Sequence, residues 1–185
     1  MDTSHRIRAL INRIARLDAA HSWGGDLNPA QRGALEYLVQ ANRYSRAPSH
    51  VAEYLGTTRG TMSQTLKVLS RKGYIAEETS KSDKRSISYT PTEAGREVLT
   101  ASNPIAVAFE SLNLDEQAEL ENALRRGLQL ALKANGGQSF GLCKTCEHYD
   151  PQEVNGFCKL LSVSLSVGEN NKICVEHKEV ANGAS

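Results

Sequence analysis

All four cysteines of the chain lie in one short C-terminal stretch. They are Cys143, Cys146, Cys158 and Cys174, and the chain before Cys143 contains no cysteine at all. The four form a Cys-x-x-Cys pair followed by two widely spaced single cysteines. The part before Cys143 must therefore fold by burying apolar side chains, while the tail also has a ligand set for a metal centre.

The composition limits the class of protein. Of the 185 residues, 39% are hydrophobic, which is enough for a folded core. The chain contains no apolar run of about 18 residues and no signal-peptide core at its N-terminus, so we predict a cytoplasmic protein without a membrane span. Thiols stay reduced in that compartment, and four of them there favour a metal site over structural disulfides.

The net charge of +1 hides an asymmetry along the chain. Residues 1–100 carry 15 Lys and Arg against 10 Asp and Glu, whereas residues 101–185 carry 7 against 11. Seven basic residues lie between positions 57 and 85, against three acidic ones. This segment is where we expect a polyanionic partner, although a solvated surface would show the same pattern.

The N-terminal half has the periodicity of helices. Apolar residues at helical spacing predict an amphipathic helix from Ile7 to Leu17. Asn28 and Pro29 predict the start of a second helix, since asparagine is a favoured N-cap and proline suits the first turn.

Two further helices and a hairpin follow. We predict a short helix from Pro48 to Gly56 and another, capped by Thr57 or Thr58, that ends at Gly73. Two helices joined by a tight turn are typical of a helix-turn-helix. Strands at 74–78 and 85–90, separated by a charged loop, predict a hairpin directly after it, and this order is that of a winged helix.

The rest of the cysteine-free region predicts two more helical segments. Thr92 begins one that runs toward Phe109 and is bent or broken at Pro104. Asp115 is the expected N-cap of a last long helix, which Gly136 and Gly137 separate from the cysteine tail.

The second helix of a helix-turn-helix enters the major groove of DNA and presents its N-terminal side chains to the bases. Arginine can bind guanine and glutamine adenine, while hydroxyl and lysine side chains bind bases or phosphates. The hairpin tip adds charge that suits the backbone or a narrow minor groove. We predict these DNA-binding residues: Thr58, Arg59, Thr61, Ser63, Gln64, Lys67, Lys81, Lys84 and Arg85.

Three segments together resemble the multiple antibiotic resistance regulator (MarR) family. They are 28–38 (NPAQRGALEYL), 51–75 (VAEYLGTTRGTMSQTLKVLSRKGYI) and 83–95 (DKRSISYTPTEAG), and the likeness covers roughly residues 5–134. The resemblance implies a mainly α-helical winged helix-turn-helix fold with a small β wing, in a homodimer whose first and last helices intertwine. It also implies that Arg85 enters a minor groove, that Asp83 orients the wing, and that the operator is pseudo-palindromic double-stranded DNA.

The resemblance divides the chain into two predicted parts. Residues 1–135 form the DNA-binding and dimerisation domain, and residues 136–185 form a small metal-binding module. Ordinary family members end near the last long helix, so the tail is an addition to the family pattern.

Four thiolates suit either zinc or an iron–sulfur cluster. The tail loosely resembles the high-potential iron–sulfur proteins, with a Cys-x-x-Cys, a Gly156-Phe157-Cys158 element and a last lone cysteine. This likeness favours a cluster, expected to be [4Fe–4S], with zinc or redox-switched thiols as the alternatives. His148 or His177 could replace one thiolate in a zinc site with three cysteines.

We therefore predict a transcriptional regulator, expected to be a repressor, whose four-cysteine site senses redox or iron status. A metal-stabilised protein-interaction module that does not bind DNA is the alternative. The sequence contains no phosphate-binding glycine loop, nucleophile elbow or His-Glu-x-x-His motif, so we expect no enzymatic activity.

Overall fold

The computed structural model describes residues 2–23, 25–79, 87–100 and 103–180. Within them the chain is mainly helical, with one hairpin in its middle and several very short strands at its end. The helices are α1 (Thr3–Ser22), α2 (Pro29–Gln40), α3 (Pro48–Tyr54), α4 (Arg59–Arg71), α5 (Glu93–Glu97), α6 (Pro104–Glu110) and α7 (Leu114–Ala134). The strands are β1 (Ile75–Thr79), β2 (Ile87–Pro91), β3 (Gly141–Leu142), β4 (Tyr149–Asp150), β5 (Phe157–Cys158), β6 (Val163–Ser164) and β7 (Ile173–Cys174).

The helix starts are set by local side-chain chemistry. Asn28 caps α2, since its side chain accepts a hydrogen bond from the Gln31 N–H while the Gln31 side chain accepts one from the Asn28 N–H. Thr58 caps α4 by accepting from the Thr61 N–H. The predicted starts of both helices are confirmed.

The main core lies between α2, α3, α4 and the hairpin. Leu35, Leu38, Leu66 and Leu69 are fully buried there, together with Val51. These residues repeat at helical spacing on α2 and α4, which is why the two helices turn their apolar faces toward each other. The predicted helix-turn-helix is confirmed.

The hairpin follows α4 through a turn at Gly73, whose φ of 77° lies in the left-handed region. Strands β1 and β2 pair antiparallel from Ile75 opposite Pro91 to Thr79 opposite Ile87. Thr92 then joins the hairpin to α5, because its hydroxyl donates to the Gly73 carbonyl and accepts from the Gly95 N–H. A side chain at position 95 would lie 2.1 Å from the Tyr74 carbonyl oxygen, which explains the glycine.

The segment after the wing differs in detail from the prediction. The helix predicted from Thr92 toward Phe109 is broken into two, α5 and α6, which is one of the two outcomes predicted for Pro104, and Pro104 is the first residue of α6. The predicted cap Asp115 is wrong, since Asn113 caps α7 in a reciprocal pair of hydrogen bonds with Glu116. Asp115 lies in the first turn, where its charge favours the helix dipole.

Helices α1 and α7 keep most of their apolar side chains exposed in the single chain. On α1, Ile7, Leu10 and Leu17 are about half exposed, and α7, which is described throughout, has no buried residue. Among the described helices, none is long and apolar enough to cross a membrane.

The tail after α7 is built from two small sheets. Strand β3 pairs with β7, while β4, β5 and β6 form a three-stranded sheet. Each strand is only two residues long. The tail also joins the main core, since Ile173 is buried in it and Phe140 and Leu142 pack against it.

Candidate nucleic-acid interface and cysteine site

Helix α4 has one apolar and one polar face. Met62, Leu66 and Leu69 point into the core, Gln64 and Lys67 are exposed on the opposite side, and Arg59 is exposed in the first turn. Gln64 and Lys67 are three residues apart, so the helical period makes them neighbours on the helix surface. The structure therefore leaves the predicted base- and phosphate-binding side chains Arg59, Gln64 and Lys67 exposed on α4.

The predicted hydroxyl residues are partly engaged at the start of α4. The Thr58 and Thr61 hydroxyl oxygens lie 2.9 Å apart, and Thr58 is also the helix cap. Both residues are exposed, whereas Ser63 is half-buried at the edge of the face. Thr58 thus fixes the helix start, and Thr61 remains at the surface.

Most basic side chains of α4 are unpaired within the part of the chain that the structure describes. Neither Arg59 nor Lys67 forms a salt bridge with any other residue that the structure describes, and the same holds for Arg71. Lys72, by contrast, forms an ion pair with Asp26 at 3.1 Å.

The wing strands position the hairpin beside α4. The Tyr89 hydroxyl donates to the Glu77 carboxylate at 2.9 Å, so one of the two acidic residues of β1 is bound within the hairpin. The predicted tip residues Lys81, Asp83, Lys84 and Arg85 lie outside the described residues, and their roles stay predictions.

The four cysteines line a single small cavity. The pairing of β3 with β7 brings Cys143 close to Cys174, and the sheet of β4 and β5 adds Cys158. Cys146 completes the set from the turn after Cys143. The remaining wall comes from both parts of the chain: Asn42, Tyr44, His148, Tyr149, Leu160, Leu161, Leu165 and Glu176.

Hydrogen bonds to sulfur shape the chemistry of this cavity. The Asn42 amide donates to Cys143 Sγ at 3.3 Å, and the Lys178 N–H donates to Cys146 Sγ at 3.4 Å. A hydrogen bond from Cys143 lowers the pKa of Cys174 to about 6, and the same bond with burial raises the pKa of Cys143. The two sulfurs are therefore in direct contact across the cavity.

The predicted ligands are brought together, but a metal site is not formed by their side chains as they stand. No group of three or more His, Cys, Asp or Glu residues within the described ranges is arranged to hold a metal ion. Cys143, Cys146, Cys158 and Cys174 therefore remain predicted ligands. Their shared cavity supports the prediction, and the sulfur positions would have to adjust around a metal.

The two candidate histidines differ in position. His148 lines the cavity. His177 is buried beside Gly141, and its ring nitrogens lie 3.1 Å from the Ser139 hydroxyl and 2.9 Å from the Thr145 hydroxyl. Because both of its nitrogens already have partners, His177 is a poor candidate ligand, and burial lowers its pKa.

The loop between α2 and α3 holds the tail against the helix-turn-helix. We call residues 41–46 the docking loop. The Asn42 N–H donates to the Ile173 carbonyl at 2.9 Å, and the Ser45 hydroxyl accepts from the Val175 N–H at 2.9 Å. Sequence reasoning missed Asn42 and Ser45, because their partners are far away along the chain and neither belongs to a motif.

Comparison with known proteins identifies a family whose sequences and structures this chain resembles. Residues 25–86 match the sequence model of the MarR family. No curated protein matches the chain.

Three solved structures illustrate the likeness. A MarR transcriptional regulator from Methanosarcina mazei superimposes with a TM-score of 0.57 at 20% identity, covering 71% of this chain and 96% of its own. The S. aureus MepR–DNA complex superimposes with a TM-score of 0.54 at 20% identity, covering 70% of this chain and 98% of its own. Wild-type apo MarR from E. coli superimposes with a TM-score of 0.54 at 21% identity, covering 69% of this chain and 98% of its own.

These findings confirm the predicted fold. The chain has the mainly helical winged-helix fold of MarR regulators, and its resemblance to the family is confirmed over residues 25–86. Each solved structure is matched over nearly its full length yet leaves a substantial part of this chain uncovered.

Proposed function

We propose that the chain is a MarR-type DNA-binding transcriptional regulator, acting as a repressor. The observation that carries the proposal is that Arg59, Gln64 and Lys67 of α4 are all exposed, and that its two basic residues here form no salt bridges to described residues. An S. aureus protein of the same fold was solved in complex with DNA. The wing follows α4 directly, and Arg85 at its tip would enter the minor groove.

The regulator acts as a homodimer in this proposal. Apolar side chains are exposed along both α1 and α7, including Leu10 at 60% and Leu128 at 60%. Rows of this kind are characteristic of helices that meet a partner. A two-fold dimer presents two copies of α4, and so requires a pseudo-palindromic operator.

The DNA proposal is tested on an operator selected from random double-stranded DNA by the purified protein. Replacing Arg59 with Ala should weaken binding about 5- to 150-fold, the value of one good bidentate base contact. Lys67→Ala and Arg85→Ala should reduce the slope of log affinity against log salt by about one each. Lys159→Ala, in the tail, is the matched control and should leave the slope unchanged. Undiminished binding by all three variants would overturn these contact assignments, whereas failure of the wild type to select any operator would favour the interaction module that does not bind DNA.

The cysteine tail holds a metal centre in this proposal. Cys143, Cys146, Cys158 and Cys174 would ligate a [4Fe–4S] cluster, and the centre would report redox or iron status to the DNA-binding part. Two observations support it: the four cysteines share one cavity, and N–H groups donate to two of their sulfurs. Such bonds set the electronic properties of metal–thiolate centres.

Zinc is the alternative, and four thiolates suit it equally well. A third possibility, thiols switched by oxidation, is compatible with the contact between Cys143 and Cys174. Purification without oxygen, followed by visible absorption and measurement of iron, sulfide and zinc, separates the three. Brown protein with iron and sulfide supports the cluster, and one zinc per chain supports a structural zinc site. Protein that contains neither metal supports thiols switched by oxidation.

A further inference from the structure

The cysteine cavity is not closed by the tail alone. Asn42 and Tyr44, both from the docking loop of the winged helix, contribute to its wall. Asn42 is only 2% exposed, although its side chain is polar. It lies 101 residues before Cys143 in the chain, and yet its amide reaches that sulfur.

The orientation of the Asn42 side chain is fixed by its other contacts. Its Oδ1 accepts from the Tyr44 N–H at 3.0 Å and from the Ser45 hydroxyl at 2.8 Å. A backbone N–H can only donate, so the atom that faces it must be the oxygen. The Nδ2 group must then be the one that points at Cys143 Sγ.

The hydrogen bond from Asn42 depends on the state of the sulfur. A metal on the four cysteines would shift the Cys143 sulfur, and the 3.3 Å contact from Asn42 Nδ2 would change with it. At 2% exposure the amide cannot turn to water when this contact weakens. A change at Cys143 therefore changes the balance of contacts at Asn42.

The docking loop passes such a change to the DNA-binding part. Ser45, bound to Asn42 Oδ1, also accepts from the Val175 N–H, and its carbonyl accepts from the Tyr37 hydroxyl at 2.7 Å. The next carbonyl, that of Arg46, accepts from the Tyr89 N–H of wing strand β2 at 3.1 Å. Ala47 is then the N-cap of α3, the first helix of the helix-turn-helix.

We propose that Asn42 is a positioning residue of the cysteine centre, and that the docking loop transmits the state of the Cys143 sulfur to the wing and the helix-turn-helix. This inference rests on the proposed function, in which the four cysteines hold a metal and α4 binds DNA. It names the contact through which the two parts communicate.

The test compares the wild-type chain with Asn42→Asp, which keeps the oxygen acceptor but replaces the N–H donor with a second oxygen. The first readout is the thiolate-to-metal charge-transfer band after Co²⁺ is added to the full-length protein. The second is the ratio of operator affinities with the native metal bound and after chelation.

The wild type should bind Co²⁺ through its thiolates and change operator affinity at least tenfold on chelation. Asn42→Asp should still bind Co²⁺ but shift the charge-transfer band, and its affinity ratio should fall below threefold. Asn42→Ala, which has no side-chain donor, serves as a second variant if the aspartate fails to fold, and its expected results are the same.

Arg43→Ala is the matched control within the docking loop. Arg43 binds the tail through Ser166 at 3.1 Å and Glu169 at 3.6 Å, but touches no sulfur. It should therefore leave the band and the affinity ratio as in the wild type.

The outcomes separate this inference from the proposed function. A wild type that binds no metal, or whose operator affinity ignores chelation, overturns the sensing function and the inference with it. A wild type that responds to chelation, with Asn42 variants that keep both its band and its ratio, overturns the inference alone.

Discussion

The winged-helix body and the cysteine tail are held together by different forces. In the body, three helices and a hairpin close over fully buried side chains such as Leu35, Leu66 and Leu69. The tail has strands of two residues, and its own buried cluster is Cys143, Leu165 and Cys174. Two of these three side chains are thiols, so the tail gains little from the burial of hydrocarbon.

This difference shows why the tail depends on contacts outside itself. Polar bonds to the docking loop, and Ile173 in the main core, attach it to the body. A metal on the four cysteines would join segments that the short strands leave weakly connected. The predictions below test this division of forces.

Removal of the metal should have the largest effect, and it should be confined to the tail. Structural zinc sites contribute about 10–16 kcal/mol to the folding of small modules at neutral pH. On the proposed metal site, a chelator should make residues 143–178 sensitive to protease while 25–79 stay protected, as read by mass spectrometry. A variant with all four cysteines changed to Ser should already be cleaved in the tail and should not respond to chelator. Equal resistance with and without chelator would show that the tail folds without a metal.

Truncation of a buried leucine should distinguish the two regions next. Leu35→Ala leaves a cavity in the main core and should lower the free energy of unfolding by about 2–5 kcal/mol, measured by urea denaturation. Leu165→Ala should affect the tail alone, leaving the main urea transition in place. Val154→Ala, at a fully exposed position, is the control for both. A Leu165→Ala loss as large as that of Leu35→Ala would mean that the two regions unfold as one.

Loss of the Ser45 hydroxyl should weaken the attachment of the tail. Ser45→Ala leaves the buried Val175 N–H without its acceptor, at a cost of about 1–3 kcal/mol. Hydrogen exchange at residues 173–177 should accelerate accordingly. Ser166→Ala removes a contact with Arg43 at the exposed surface and should change exchange little. Unchanged exchange in Ser45→Ala would show that the apolar contact of Ile173 suffices.

The smallest effect concerns the wing and appears at high pH. Burial raises the pKa of Tyr89 to about 12 from its ordinary value of 10. The stability linked to this group is complete below pH 10 and is lost as the pH rises toward 12, because the unfolded chain ionises first. Tyr89→Phe should lower stability at pH 7 by about 0.5–1.5 kcal/mol, through loss of the Glu77 bond, and should make the decline above pH 10 shallower. The stability of the wild type and of Tyr89→Phe is measured by urea denaturation across this pH range. Parallel profiles for the two proteins would contradict the raised pKa of Tyr89.

The fold of the body was largely predictable from local patterns. The caps at Asn28 and Thr58, the apolar spacing of α2 and α4, and Gly73 after α4 act over a few residues each. The errors lie where two local signals competed. Asn113 and Asp115 are both good caps, and the position of Glu116, three residues after Asn113, decided between them.

The tail was less predictable, because its structure depends on distant partners. The cysteines could be singled out as one group from their spacing, and they do line one cavity. Neither the strand pairing of Gly141 with Cys174 nor the participation of Asn42 has a local sequence signal. The predicted boundary at residue 135 remains a prediction, although Ile173 and Phe140 contact the body core.

The sequence by itself determined the helix-turn-helix, the position of the wing and the identity of the four candidate ligands. Each of these follows from side chains a few residues apart, where periodicity, caps and glycine conformations act locally. Only the tertiary structure decided that the cysteine cavity opens against the docking loop and that Asn42 donates to Cys143. Those contacts join residues that are far apart along the chain, and such contacts are fixed by the packing of the whole chain.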